Sequence, residues 1–316
     1  MFEVIINPAG AGGRTMKTWQ KTKEYLEQYH IDYREHFSEL TYGIDEIAAD
    51  LTAEDKDVDL LIIGGDGSLN LAVNGIRDFA RVRLAFVPSG SGNDYAKALN
   101  VPSDPLEIVK MLKDNTVRRR VNIGKMTYLN RFDKDGNPAP GRDFRLFNIS
   151  SGIGFDAAIC EEVQRAGAKK ALNLLHMGRQ IYIWVALHQI FTARRSVVKI
   201  TLDDGEVREY SKLLLAVGMN TAYEGGGFKF GPDADPADSL LDLCIADHLS
   251  QFDFFRIFPY AYTGSHVKFK WVEVRKTKKA EIETDTPVWV HTDGEIEFMS
   301  SHIRLELLDA KLKLMV

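Results

Sequence analysis

The sequence predicts two domains: an N-terminal α/β domain on a doubly wound parallel sheet, then a mainly antiparallel β-sandwich. Three observations carry this. Apolar strands and amphipathic helices alternate through Leu99. Glycine-rich turns close three of those strands at their carboxyl ends. Beyond Val117 strands dominate, and their alternation is that of ribbons with one wet face.

Phe2 to Ile6 is a β-rich run stopped by the breaker cluster "NPAGAGGR". Met16 to Tyr29 carries Trp19, Tyr25, Leu26 and Tyr29 at helical spacing, and "DYREHFS" reads as a second strand. Asp45 to Leu51 reads as helix, Asp59 to Ile63 as a strand that is apolar from Leu60 onward, Leu69 to Ile76 as helix, Leu84 to Val87 as strand and Asn93 to Leu99 as helix. "VRRRVNIGKMTYL" then alternates basic and apolar residues, and "NRFDKDGNPAPGRDF" is a polar hairpin or loop turning at Asp135-Gly136. Further strands are expected at Arg145–Ile149, Val197–Leu202, Lys212–Met219, Leu241–Ala246, Ala280–Thr284 and Val288–Thr292, with helical interruptions near Ala157–Phe191 and Phe252–Tyr262. The expected division is 1–121 and 122–303, with 304–316 a candidate to return to the first domain.

A chain of 316 residues, 45% hydrophobic and 27% charged, has material for a sizeable core and is not a disordered protein. Its net charge of -5, from 40 basic and 45 acidic residues, argues against a nucleic-acid partner held by a general positive field. Cys160 and Cys244 lie far apart in no ligand-spaced pattern and read as idle thiols of a reducing compartment. No signal peptide is expected ahead of "FEVIINP", and the longest apolar stretch, Ile181 to Phe191, is about half a membrane span. The expected location is the cytoplasm.

The three turns are "NPAGAGGR" (Asn7 to Arg14), "GGDGS" (Gly64 to Ser68) and "PSGSGND" (Pro88 to Asp94). Ligands of an open parallel sheet bind outside the carboxyl ends of its strands. Glycine lets backbone N–H groups approach a phosphate there, and a following helix adds donors and a favourable dipole. One such turn is an ordinary connection. Three on one sheet, with Asn7, Ser68, Ser91 and Asn93 supplying polar side chains, point to a nucleotide polyphosphate. Neither standard nucleotide fingerprint is present.

"GGDGSLNLAVNG" resembles the "GGDGTxNEVxNG" signature of the diacylglycerol kinase catalytic domain family, which includes bacterial soluble lipid kinases and sphingosine kinases. "NPAGAGGR" and "PSGSGNDYAKAL" resemble that family's "NPxxGxG" and "PxGTxNDFAR". "GIGFDA" (Gly152 to Ala157), "DADPADSLLDL" (Asp233 to Leu243) and "TDGE" (Thr292 to Glu295) match later blocks in order, whereas "GGDG" alone also fits NAD kinases and phosphofructokinases. The resemblance implies ATP-dependent phosphorylation of a lipid hydroxyl, most simply diacylglycerol, in a cleft between a nucleotide domain and a β-sandwich.

The residues this implies for ATP are Asn7, Ser38, Gly64, Gly65, Asp66, Gly67, Ser68, Asn70, Gly90, Ser91 and Asn93. A turn without lysine leaves much of the charge neutralisation to Mg²⁺, with Asp66 and Asp94 as anchors or, alternatively, as helix caps. By resemblance Glu295 is the proton acceptor with Asp293 beside it, and Asp-Gly is also the strongest hairpin-turn signal. The resemblance further implies a structural Mg²⁺ on the Asp238 carboxylate and the carbonyls of Asp235 and Leu240.

Departures from the family are serine for threonine at Ser68 and Ser91, Ser239 for glycine, and Leu71 where glutamate is usual. Ser239 strains its turn if that position needs positive φ, and Leu71 motivates the alternative of a non-catalytic nucleotide- or lipid-binding regulator. A sphingoid base, another lipid alcohol or NAD are the alternative substrates. Segments 174–191 and 252–279, with Arg118 to Arg120, are candidates for transient contact with the inner membrane surface or for core. A homodimer is a candidate assembly.

Overall fold

The computed structural model describes residues 1–165, 178–192 and 195–316, with the side chains of 178–184 outside the described set. The chain forms two compact units, Met1–Ile123 with Asp309–Val316, and Gly124–Leu308.

In the first unit β1 (Phe2–Ile6), α1 (Arg14–Gln28), β2 (Tyr33–Phe37), α2 (Ile44–Leu51), β3 (Val58–Gly64), α3 (Asp66–Gly75), β4 (Val82–Pro88), α4 (Asp94–Ala98), α5 (Pro105–Lys113) and β5 (Arg119–Val121) follow in order. The sheet order is β2-β1-β3-β4, continued by the C-terminal strand and then β5. Every pairing in it is parallel except the last. Leu60 to Ile63 are buried because β3 is central and covered on both faces, which is why that run has no polar alternation. Helix α5 is a correction to the sequence reading, which left it out. Its signals were present: the Asp104 carboxylate accepts the Leu106 N–H at 3.0 Å, Pro105 opens the helix, and Ile108, Val109 and Leu112 are buried.

The second unit contains β6 (Gly124–Tyr128), β7 (Phe144–Phe147), β8 (Ser150–Gly154), α6 (Phe155–Arg165), α7 (Gly178–Thr192), β9 (Ser196–Leu202), β10 (Val207–Met219), β11 (Leu241–Asp247), α8 (Gln251–Ile257), β12 (Val272–Thr277), β13 (Lys279–Thr292) and β14 (Glu295–Leu307). β15 (Leu312–Leu314) completes the first unit's sheet. The return expected over 304–316 begins at Asp309, because Arg304 to Leu307 pair with Thr127 to Gly124.

Pairings throughout the second unit's described sheet are antiparallel, in the order β12-β11-β10-β8-β13-β14-β6-β7. β10 and β13 each change neighbour half-way: their outer parts pair with β9, and Leu215–Met219 and Val290–Thr292 pair with β8. That exchange folds the sheet into a sandwich around Met126, Phe147, Ile200, Ala216, Ile282 and Leu305. β13 was expected as two strands. It is one, irregular between Glu283 and Val288, where Pro287 has no N–H for the ladder. Phe155, Ile190, Phe254 and Ile257 pack the helices onto the sandwich's other face with Leu215 and Val217.

Candidate functional site

Each unit brings together one set of the expected residues. In the first, the three glycine turns meet at the carboxyl ends of β1, β3 and β4. Gly65 and Gly90 touch backbone to backbone: a Cβ on Gly65 would lie 2.9 Å from Gly90 Cα, and one on Gly90 2.8 Å from Gly65 Cα. Bare backbone is therefore required first by turn-to-turn packing. The Asn93 side chain stabilises the third turn, accepting the Gly90 N–H at 2.9 Å and donating to the Gly90 carbonyl at 3.1 Å. The Thr15 and Ser89 hydroxyls, 2.9 Å apart, tie α1 to the third turn, and the Ser38 N–H donates to Ile6 at 2.9 Å, setting Ser38 beside Asn7. Asn7 accepts the Ala9 N–H at 3.1 Å, and Ser68 and Asn70 are buried on α3 while Ser91 is exposed.

Asp66 is the first residue of α3, so "GGDG" runs into the helix rather than forming a free turn. Its carboxylate accepts the N–H groups of Asp94 at 3.0 Å and Tyr95 at 3.2 Å. It thus caps the helix of the next turn instead of its own, and links the second turn to the third. Buried Asp94 is bonded to Lys97 at 3.2 Å. The N-cap residues of α1 and α3 are Gly13 and Gly65, which have no side chain to cap the first turn, and a helix N-terminus of this kind suits an anion. These helix ends and the Asp66 and Asp94 carboxylates fit Mg-ATP in kind: donors for phosphate, acids for the metal.

In the second unit Asp293 and Gly294 have φ of 51° and 82° between paired Thr292 and Glu295, the two positive values of a type I′ hairpin. The Asp293 carboxylate accepts three backbone N–H groups, from Asn148 (2.8 Å), Ile149 (2.8 Å) and Ser150 (3.0 Å). Saturated in this way, it is an anchor that offsets its left-handed backbone. Glu295 next to it is half-buried, and its carboxylate accepts from Gln164 of α6 at 3.2 Å.

Beneath this turn lies a cluster that the sequence reading missed. His291 is wholly buried, with Nε2 2.6 Å from Asp156 Oδ2 and 3.6 Å from Glu224 Oε1. Its Nδ1 lies 3.3 Å from the Gly294 nitrogen. Burial raises the Glu224 carboxyl to about 7. For His291 burial works against the charge, but Asp156 and Glu224 outweigh it and push the imidazole up to about 9. The three ligand atoms lie close enough for a metal ion. An imidazolium, however, carries protons on both nitrogens and aims Nε2–H at Asp156, so a hydrogen-bonded network fits better than coordination.

The acidic loop departs from the expected ion site. Asp238 accepts the Leu240 N–H on one oxygen, at 2.9 Å, and the Lys276 ammonium on the other, at 3.1 Å. Asp235 accepts the Ala237 N–H at 2.9 Å. An ammonium already stands where the structural Mg²⁺ was expected, so the loop as folded does not fit that ion. Ser239 does adopt positive φ, 65°, the strained position that a glycine would relieve.

Residues 2–126 match the family described as the diacylglycerol kinase catalytic domain, and residues 149–316 the one described as the YegS C-terminal NAD kinase beta sandwich-like domain. The chain belongs to the family with the YegS C-terminal beta sandwich-like domain, preceded here by a diacylglycerol kinase catalytic domain. YtlR of Bacillus subtilis strain 168, named as a candidate lipid kinase, is 26% identical over 295 residues, 92% of each chain. A diacylglycerol kinase of Mycobacterium tuberculosis strain CDC 1551 is 24% identical over 292 residues, 92% of this chain and 87% of that one. A solved diacylglycerol kinase structure from Bacillus anthracis strain Sterne shares the fold, with a TM-score of 0.67, 20% identity and coverage of 99% and 96%.

Among these family blocks, "GIGFDA" contributes Asp156 of the buried cluster. Glu224 precedes three glycines that all have positive φ, Gly225 to Gly227, and that glycine run was the one signal that could have drawn attention to it. His291 stands two residues before the anchoring Asp293, inside a strand that reads only as apolar alternation.

Proposed function

We propose that this protein transfers the γ-phosphoryl group of Mg-ATP to the hydroxyl of a membrane lipid, converting diacylglycerol into phosphatidic acid. The observation that carries the reading is the anchored turn in the second unit. Three amides hold Asp293, both turn residues are left-handed, and Glu295 is thereby fixed at the head of β14, where its carboxylate is the candidate proton acceptor. In the reaction the lipid hydroxyl oxygen bonds to the γ-phosphorus, the bond to the bridging β,γ-oxygen breaks, and the hydroxyl proton passes to Glu295. The glycine turns, with the N-termini of α1 and α3, bind the phosphates, and Asp66 and Asp94 are the acids at these turns, where a metal would have to share them with the Asp94 and Tyr95 amides and with Lys97. Bound Mg²⁺ would supply the positive charge that these lysine-free turns lack.

No helix among the described residues is long and apolar enough to cross a membrane. Contact with the lipid surface is supported by Phe252, 78% exposed, and by Phe191 and Phe255, whose exposed rings lie 6.0 Å apart. Residues 174–177 of the first proposed membrane segment, and the side chains of 178–184, lie outside the described residues. The basic stretches support this contact less. Arg118 is bonded to Asp114, Arg275 to Glu206 and Glu273, and Lys276 to the acidic loop.

The test is phosphorylation by the purified protein with Mg-ATP and vesicles carrying diacylglycerol, sphingoid bases or other lipid alcohols, and with NAD in solution. Glu295→Gln is expected to lower kcat by about 10²–10⁴-fold while ATP still binds. Near-normal turnover in that variant removes Glu295 from the mechanism. Labelling of NAD alone would replace the lipid reading, and ATP binding without any labelled acceptor would favour a regulator.

A further inference from the structure

The loop where the family resemblance implies a structural ion contains a cation of its own. Asp242 on β11 and Lys276 on β12 are direct cross-strand partners, so the strand register itself delivers the ammonium to the loop. Lys276 Nζ lies 2.7 Å from Asp242 Oδ1, 3.1 Å from Asp238 Oδ2 and 3.3 Å from the Asp233 carbonyl oxygen. An ammonium has three N–H donors, and here each has an acceptor. The Asp242 carboxylate is 2% exposed and so depends on a fixed partner. Burial works against the ammonium, but its bonds to Asp242 and Asp238 raise its proton affinity, so it is charged at neutral pH. A divalent ion on Asp238 would have to displace this group or sit against a like charge.

We propose that Lys276 replaces a bound divalent ion as the structural cation of the 233–242 loop. The second unit then needs no metal to hold this loop. Its stability is indifferent to chelators, and the carboxylates of Asp238 and Asp242 already share one ammonium when the chain folds. This inference is independent of the proposed activity, since it concerns a loop and two strands inside one unit.

The experiment is thermal unfolding of the full chain without nucleotide, in EDTA and in Mg²⁺, together with Mn²⁺ binding read by electron paramagnetic resonance. The native protein is expected to unfold at the same temperature in both media. Lys276→Met is expected to lose several degrees in EDTA and to recover part of the loss in Mg²⁺, because two carboxylates and a carbonyl are left without a cation. Asp238→Asn in the native background is expected to leave the number of bound Mn²⁺ ions unchanged. A native protein that loses several degrees in EDTA, a Lys276→Met protein as stable as the native one, or loss of a Mn²⁺ ion in Asp238→Asn would each overturn the proposal. If Lys276→Met does not fold, the chelator comparison and the Asp238→Asn ion count decide the matter.

Discussion

Replacing Asp293 with alanine removes the acceptor of three backbone N–H groups at once. Asn148, Ile149 and Ser150 are buried, at 1%, 5% and 0% exposure, so water cannot readily take the carboxylate's place. Leaving a buried donor unsatisfied costs about 1–3 kcal/mol each. Three donors with partial relaxation give a loss of about 3–6 kcal/mol. At about 2–4 °C per kcal/mol for a unit of this size, Tm should fall by about 6–24 °C. Asp293→Asn keeps an acceptor oxygen and should lose roughly half as much. Calorimetry or circular dichroism measures the Tm, and amide hydrogen exchange should show protection lost selectively at residues 148–150. A Tm within about 3 °C of native, or unchanged exchange at those amides, would refute the claim that Asp293 is an anchor. Turnover should fall further than stability alone explains, because the turn that presents Glu295 is the one released.

Three further outcomes are expected. Ser239→Gly should change Tm by no more than about 4 °C, since relief of about 1–2 kcal/mol of left-handed strain is set against the added entropy of glycine and the loss of the serine's own interaction; a larger fall would mean that the interaction outweighs the strain. Gly65→Ala should weaken ATP binding about tenfold or more, measured by titration calorimetry, because the new Cβ would meet Gly90 Cα at 2.9 Å and push the second turn from the third. An unchanged Kd would show that the turns give way freely. Glu224 rises from 4.5 to about 7 and His291 from 6.5 to about 9, so in both cases the folded chain holds protons that the unfolded chain has released. Stability should therefore fall as pH rises, through Glu224 between about 4.5 and 7 and through His291 between about 6.5 and 9. Glu224→Gln should remove the lower limb of that decline in urea-unfolding midpoints, and an unaltered profile would contradict the assignment.

The first unit was the more legible because its central strands are buried on both faces. A run such as Leu60 to Ile63 states its environment directly. The helix that escaped, α5, had a cap and a buried stripe, but it is only nine residues long and opens on Pro105. In the second unit β13 was split because Pro287 interrupts a ladder that resumes beyond it. The candidate residues were found through short blocks, and their roles were less visible. Asp66 caps a helix 28 residues away and Asp293 binds amides 143 to 145 residues away. Distances of that kind belong to the fold and leave no mark on local spacing. The same holds for Asp156 and His291, 135 positions apart.

The departures from the family blocks are best understood together, by asking what each position must do. Ser239 keeps the left-handed turn and accepts its strain, so the backbone path of the acidic loop is maintained even without the glycine that would make it easy. Lys276 reaches the same loop from the neighbouring strand and supplies charge where an ion was expected. A loop whose charge comes from a strand partner is tied to the sandwich by covalent structure, whereas an ion ties it only while bound. Leu71 is different in kind. It lies half-buried on α3, in the next turn after Asp66, and it replaces a carboxylate near the expected nucleotide without a visible substitute. Asp66 is committed to two amides of α4, and Asp94 is held by Lys97. Restoring the acid as Leu71→Glu therefore isolates the question: a rise in turnover with unchanged Tm would mean that this chain has given up metal or nucleotide affinity at that position. Unchanged turnover would mean that Asp66 and Asp94 suffice.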